Sequence, residues 1–279
     1  MATRPPLRVL FFDVFGTTVA QRTPVADELW RAAKEALESD KSAISDEVRS
    51  KATKMSYKQW FELGGEWDKD VDEFVSDSKA KYGSVDWRAI DKYRFESLHK
   101  QLAKLGLSIP REAGSTSELR IREGSLWDDS QLKFICHIWH RLPPWPDTCR
   151  GLELLNTKFS TVTLSNTYQD LMEHLVAHSS IPFQLFYTAD MFQSYKPNPK
   201  VYLGAAEKMG VKPEECGLVA AHLNDLKGAK TCGFYAIYVE RPLEEKNPEL
   251  QEENIPDIEI KEGEGGFVAL AERLGIQVS

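Results

Sequence analysis

A carboxylate, a hydroxyl, an amine and an imidazole stand in this chain where they could form one reactive site. Asp13 closes the apolar run Leu7 to Phe12 and is followed by Val14-Phe15-Gly16-Thr17-Thr18. Ser165-Asn166 closes the run Phe159 to Leu164, and Lys196 stands in the loop behind Phe183 to Tyr187. His222 to Asp225 follow Gly217 to Ala221. A carboxylate can act as a nucleophile, an ammonium can hold and orient it, and a His with a second Asp can manage the protons of a water. Scattered as they are, these groups meet only if the four runs are neighbouring strands whose C-terminal ends share one edge of a sheet.

The surrounding texture supplies such a sheet. Strand-like runs, with a further one at Tyr235–Val239, alternate with helical stretches at about Tyr168–His178, Pro199–Met209 and Leu226–Cys232. That alternation, with short connections, reads as a parallel sheet in an α/β domain. From Val25 to about Arg141 the chain is instead rich in Lys, Glu, Ala and Leu at helical spacing, as in Val25, Leu29, Ala32, Ala33, Ala36 and Leu37. The helical block therefore interrupts the α/β pattern after its first strand. Pro143, Pro144 and Pro146 end it and suggest a hinge on the return path. The acidic stretch Glu244–Glu264 reads as a solvated surface loop, and a last short helix ends near Leu274.

Composition narrows the function classes. The chain has 279 residues, 42% hydrophobic and 28% charged, enough to build a sizeable core without a staple. A net charge of −8 argues against a nucleic-acid partner. Asp13 cuts off the first apolar run, which is too short for a leader or a membrane span. The cysteines, Cys136, Cys149, Cys216 and Cys232, form no C-x-x-C pair, which disfavours a zinc site and suits free thiols in a reducing cytoplasm. His137 and His140, three apart, lack a third ligand and read as structural. Trp139 and Trp145 read as packing.

Four motifs, in order and at matching spacing, carry a resemblance to the haloacid dehalogenase superfamily and its 2-haloacid dehalogenase-type branch. They are Phe12-Asp13-Val14-Phe15-Gly16-Thr17, then Thr163-Leu164-Ser165-Asn166, then Tyr195-Lys196-Pro197 with Val201-Tyr202, and Val219 to Leu226. The resemblance implies an α/β fold, a Rossmann-like three-layer parallel-sheet core with an inserted all-helical cap. The core is expected from 1–22 and 146–279, and the cap from 23–145. It implies Asp13 as nucleophile on an sp³ carbon, with an ester intermediate that water hydrolyses. Lys196 would orient the carboxylate with help from Thr17 and Ser165. Asn166 and Asn224 would contact substrate, Phe15 would wall the pocket, and Asp225 would help activate water. The cap would close over Asp13 during the first step.

The chain also departs from the branch. Phosphatase members resemble one another in carrying a second Asp two residues after the nucleophile and a G-D pair in the fourth motif. Here those positions hold Phe15 and Ala220-Ala221. Mg²⁺-dependent phosphate transfer is disfavoured on those lost groups, and no cofactor or metal is expected. His222 stands where the bacterial enzymes usually have an amide, as in the related cis-epoxysuccinate hydrolases. It is expected to pair with Asp225 as a water-activating dyad. The branch's cap Arg, which clamps the substrate carboxylate, aligns with Asp68 after Trp67, counting from Trp60-Phe61. Arg22 remains as a possible anion contact, while Arg88, within Trp87-Arg88-Ala89-Ile90-Asp91, reads as structural.

The expectation is a metal-independent hydrolase acting on a small molecule, with no nucleic-acid or membrane partner and a homodimer at the family level. Alternatives are an epoxide hydrolase, a specialised enzyme with a larger neutral substrate, and a catalytically silent binding protein, since fold does not dictate function.

Overall fold

The computed structural model describes residues 5–39, 43–82, 86, 89–111 and 120–278, without the side chains of 78–82. Trp87 and Arg88 lie outside the described residues. Contacts divide the chain into two compact units, one of 22–139 and one of 1–21 with 140–279. The boundaries fall after Gln21 and Trp139, against the expected 22 and 145.

The unit 22–139 holds α1 (Arg22–Glu38), α2 (Asp46–Lys54), α3 (Tyr57–Tyr82), α4 (Ile90–Lys104) and α5 (Asp129–Cys136). On α3, Trp60, Leu63, Trp67, Val71 and Val75 are buried at spacings of three and four, the single apolar stripe of a packed helix. Gly64 and Gly65 interrupt the large residues where α1 passes. A Cβ on Gly64 would stand 3.3 Å from Val25 Cγ1. The indole N–H of Trp67 donates to the Arg94 carbonyl of α4 at 2.9 Å, and its ring meets Trp139 edge-on at 4.6 Å. These contacts fix the rotation of α3 about its axis, and with it Asp68, which is buried. Asp128 and Gln131 cap α5 reciprocally.

The other unit is a parallel sheet of β1 (Val9–Phe12), β2 (Ser160–Ser165), β3 (Leu185–Thr188), β4 (Cys216–Ala220), β5 (Tyr235–Val239) and β6 (Ile258–Ile260). Its helices are α6 (Thr148–Leu155), α7 (Gln169–Ser179), α8 (Ala189–Phe192), α9 (Pro199–Lys208), α10 (Leu223–Thr231) and α11 (Gly266–Arg273). The strand order is β3-β2-β1-β4-β5-β6, every neighbouring pair parallel. All four β1 residues are at most 2% exposed, as a strand covered on both faces requires. Val9 and Phe11 pack into a cluster with Val201, Tyr202 and Ala205 of α9 and Leu223 and Leu226 of α10. Alternation sends Phe12 to the other face, where its ring meets Phe183 and Phe267 of α11 at 5.5 and 5.1 Å.

From β1 the strand order runs both ways, which makes the C-terminal ends of β1 and β4 the topological switch point. Phe12 is in register with Thr163 of β2 and Val219 of β4, so Asp13 leaves the sheet between them.

Two sequence expectations are corrected here. The acidic stretch is not simply a solvated loop. Glu244 is 2% exposed, a 3₁₀ turn spans Pro248–Glu253, and Ile258–Ile260 forms the sixth strand on β5. The proline segment is not a loose connection either. The Ala20 N–H donates to Pro143 O at 3.0 Å, the Trp145 N–H to Thr18 O at 3.2 Å, and the Trp145 indole N–H to Gly16 O at 3.0 Å. It is bonded to the loop behind Asp13 within its own unit.

Candidate active site

The turn after β1 folds back under Asp13. The Asp13 N–H donates to Val219 O of β4 at 3.0 Å, and Thr18 Oγ1 donates to the Asp13 carbonyl at 2.8 Å. Gly16 sits at φ +79°, where a side chain is strained, and lets the chain turn back. Thr17 then reaches Asp13 through its hydroxyl, donating to Oδ2 at 2.7 Å while accepting the Ala221 N–H at 2.8 Å. Arg241 secures the turn from behind. Its Nε–H donates to Thr17 O at 3.0 Å and its other nitrogens clamp Asp147 at 2.6 and 2.8 Å.

Two further groups reach the carboxylate. Lys196 Nζ donates to Asp13 Oδ1 at 2.8 Å and also to Asp225 Oδ2, so one ammonium serves two acids. His222 Nδ1 lies 3.0 Å from Asp13 Oδ2. An ionised carboxylate only accepts, so Nδ1 carries the proton of that bond. Burial alone would raise the Asp13 carboxyl, but the Lys196 charge and the His222 hydrogen bond outweigh it and hold Asp13 far below the usual carboxylate range. Burial would lower Lys196 and His222. The charges of Asp13 and Asp225 raise Lys196 instead, and the hydrogen bond and charge of Asp13 raise His222. Asp225 is pushed up, first by burial, against the pull of Lys196.

Asp13, Thr17, Lys196, His222 and Asp225 thus meet at the switch point. The expected His222–Asp225 dyad does not form. His222 turns to Asp13, and Asp225, on the buried face of α10, accepts from Lys196 and from Tyr202 Oη at 2.6 Å. The Asn166 amide is spent on Lys196, its Oδ1 accepting the Lys196 N–H at 2.7 Å and its Nδ2 donating to the Lys196 carbonyl at 3.0 Å. It positions the lysine loop, where substrate contact was expected. Ser165 Oγ does not reach Asp13; it is buried with no hydrogen-bond partner among the described residues. Asn224 is exposed on the first turn of α10, outside the buried cluster, and Phe15 is half-buried. Arg22 belongs to the helical unit, its guanidinium 5.1 Å from the Phe61 ring centre and against Gly65. Tyr202 is the residue that reading the sequence passed over; the V-Y that closes the third motif was its signal.

The superfamily implies Mg²⁺ in some members, and the donors here do not fit it. Asp13 Oδ1 holds an ammonium and Oδ2 two hydrogen bonds. Asp225 holds the same ammonium, and Phe15 and Ala221 offer no side-chain oxygen.

A parallel sheet whose switch point carries a buried Asp, held by a Thr of its own turn and a Lys from behind another strand, defines a hydrolase-type α/β site. A family model for haloacid dehalogenase-like hydrolases matches residues 7–233, and the chain belongs to that family. A crystallised L-2-haloacid dehalogenase is 26% identical, the match covering 96% of this chain and all of that one at a TM-score of 0.69. The (S)-2-haloacid dehalogenase 4A of Burkholderia cepacia is 29% identical over 106 residues, 37% of this chain and 46% of that protein. A phospholysine phosphohistidine inorganic pyrophosphate phosphatase of Xenopus laevis is 43% identical over 60 residues, 20% of this chain and 22% of that protein. The chain thus spans less than half the length of these curated relatives. Among the described residues, no helix is long and apolar enough to cross a membrane.

Proposed function

We propose that the protein hydrolyses a bond at an sp³ carbon of a small organic molecule, with Asp13 as the nucleophile and no metal in the step. The observation that carries this reading is the unequal use of the two Asp13 oxygens. Oδ2 accepts from Thr17 and His222, which occupy both of its lone pairs, whereas Oδ1 accepts, among the described residues, only from Lys196. Oδ1 therefore keeps a lone pair for attack. Its bond to carbon forms as the leaving group departs with the bonding electrons, and an ester remains on Asp13.

The ester carbonyl is then Oδ2, already facing two donors. Water adds to the Asp13 carboxyl carbon, and Thr17 and His222 stabilise the oxyanion that develops. Asp225 takes one proton from water and returns it to the departing alcohol oxygen, and the regenerated Asp13 carboxyl releases the other to solvent. His222 thus acts as a donor at the ester, in place of the base role the sequence suggested.

The displaced group is a halide, which departs as the anion, or the oxygen of a strained epoxide, which stays on the other carbon and takes a proton from solvent, and the substrate is neutral. Counted along the sequence, Asp68 falls where the resemblance places the branch's carboxylate-binding Arg, so that position offers no cation to a substrate carboxylate. The test follows halide release from 2-chloropropionate and from a neutral chloroalkane amide, and diol formation from a neutral epoxide, all with EDTA. One neutral substrate should turn over in the wild type, and Asp13→Asn should lose at least about 10³-fold. Repeated turnover in ¹⁸O water should label the Asp13 peptide. Unchanged turnover in a folded Asp13→Asn protein, or Mg²⁺-stimulated phosphate release as the main activity, would overturn the reading.

A further inference from the structure

Behind His222 lies a buried acid that the reaction above does not use. The chain leaves β5 and makes a tight turn over Arg241-Pro242-Leu243-Glu244, closed by the Glu244 N–H on Arg241 O at 3.2 Å. Pro at the second position and a left-handed third residue are the marks of a type II turn, which favours Gly at the third. Here the third residue is Leu243 at φ +66°. It is 66% exposed, so no packing of its own side chain explains the strained backbone. Strain of this kind persists where the surrounding structure holds it in place, and it gathers at functional sites.

The turn delivers the Glu244 side chain inward, to 2% exposure. Its Oε1 accepts the Gln21 N–H at 2.8 Å. Its Oε2 borders the space over Gly16 that the Cε1–Nε2 edge of His222 also borders. A Cβ on Gly16 would stand 2.9 Å from Glu244 Oε2, 3.0 Å from His222 Cε1 and 3.1 Å from His222 Nε2, so carboxylate and imidazole flank the same small space. That space exists because residue 16 is a glycine. His222 Nε2 is buried and has no hydrogen-bond partner among the described residues. A neutral imidazole with its proton on Nδ1 leaves Nε2 as a bare acceptor beside a carboxylate oxygen, which is unfavourable. An imidazolium instead presents an N–H to the space that the carboxylate borders.

We infer that Glu244 is a positioning residue that keeps His222 in its doubly protonated form, aimed at Asp13. Resting on the ester reading above, this gives the His222 Nδ1–H the strength of a charged donor at the moment Asp13 loses its own charge to the ester. When the ester forms, His222 loses the charge of Asp13, the carboxylate it hydrogen-bonds among the described residues, and without a further acid nearby would shed its extra proton. Glu244 bridges that interval. The next residue supports the same geometry. Glu245 Oε2 accepts the Leu223 N–H at 2.8 Å and so caps α10 just after His222.

The charged groups facing His222 are Asp13 from the end of β1, Glu244, Glu245 and Lys246 from the loop after β5, and Lys196 across Asp13. Glu244→Gln keeps an acceptor for the Gln21 N–H and removes the charge. Titration of His222 by NMR, assigned by its loss in His222→Asn, should fall by about one pH unit or more in Glu244→Gln. Glu244→Asp should restore part of the shift. On a substrate found as above, kcat should fall about tenfold with KM unchanged. The pH at which that activity declines should move down with the His222 titration. In a His222→Asn background, Glu244→Gln should add no further loss. An unmoved His222 titration in folded Glu244→Gln protein overturns the inference, whatever the substrate proves to be. A moved titration in a protein that turns over no substrate upholds Glu244 as the partner of His222 and sinks the ester reading instead.

Discussion

Asp129 and Asp70 of the helical unit and Asp13 and Asp225 of the α/β unit are satisfied differently. In the helical unit, Asp129 is 5% exposed and accepts the backbone N–H groups of Arg120 and Ile121 at 2.9 to 3.1 Å. Half-buried Asp70 accepts from Ser97 Oγ and Gln101 Nε2 at 2.6 and 2.7 Å. All these donors are neutral and belong to neighbouring segments, so each acid fastens one piece of chain to another. In the α/β unit, Asp13 and Asp225 face an ammonium, an imidazole and a phenol, groups that gain or lose protons or hold them strongly. Carboxylates held by neutral donors serve architecture. Carboxylates sharing a cation with one another are poised for chemistry, because each change in charge at one is felt by the rest.

The contrast breaks most visibly at Lys196. Lys196→Met should leave Asp13 and Asp225 buried without their common cation and cost about 3–5 kcal/mol at neutral pH. The pH dependence should also reverse. In the wild type, Asp13 is depressed, so its contribution is complete above its unfolded value, about 4, and is lost as pH falls below it. With the cation gone, burial and mutual repulsion raise both acids. Stability is then present below about 4 and lost as pH rises through the raised folded values. Denaturant melts from pH 7 to pH 5 should show Lys196→Met recovering more stability than the wild type, in which only the raised Asp225 and His222 gain as pH falls. A constant difference across that range would mean that the two acids do not share the lysine's charge.

A smaller effect is expected in the helical unit. Asp129→Ala strips the partners from two backbone N–H groups and should cost about 1–3 kcal/mol, with no reversal of pH dependence. Should the loss vanish at pH 5 as it does for Lys196→Met, Asp129 would belong with the charged cluster and the contrast would fail.

The same contrast decides what could be read in the sequence. Asp13, Lys196 and Asp225 were legible because a parallel sheet gathers strand ends, and each of these residues follows a strongly apolar run. The strands from Val9 to Val239 were legible for the same reason. The last strand was not. Ile258-Glu259-Ile260 is too short for a pattern, and its burial depends on pairing with β5. Roles were harder to read than places. The three-residue spacing of His222 and Asp225 suggests a pair, but α10 turns Asp225 inward to Tyr202 while His222 stays at its N-terminus. An Asn after a strand looks the same whether it binds a ligand or, as Asn166 does, both sides of the Lys196 backbone. In the helical unit the apolar stripe was visible, whereas Asp70 and Asp129 find their partners only once the helices have packed.

The smallest predicted effect uses one substitution to compare how the two units pack. A Cβ on Gly65 would stand 2.9 Å from Arg22 Nη2, and a Cβ on Gly151 would stand 2.3 Å from Phe267 Cβ and 2.6 Å from the Phe267 carbonyl carbon. Arg22 can swing its guanidinium aside, and Ala is about 1 kcal/mol better than Gly inside a helix. Gly65→Ala should therefore fall within about 1 kcal/mol of the wild type, the propensity gain offsetting the displaced contact with the Phe61 ring. Gly151→Ala meets backbone, which moves only with α11 as a whole, and should cost about 1–3 kcal/mol or more. Chemical melts of the two variants side by side check this. A large loss at Gly65 would mean that Arg22 is held as rigidly as the backbone of α11, and hence that its guanidinium, against Gly65 and Phe61, is a fixed part of the helical unit.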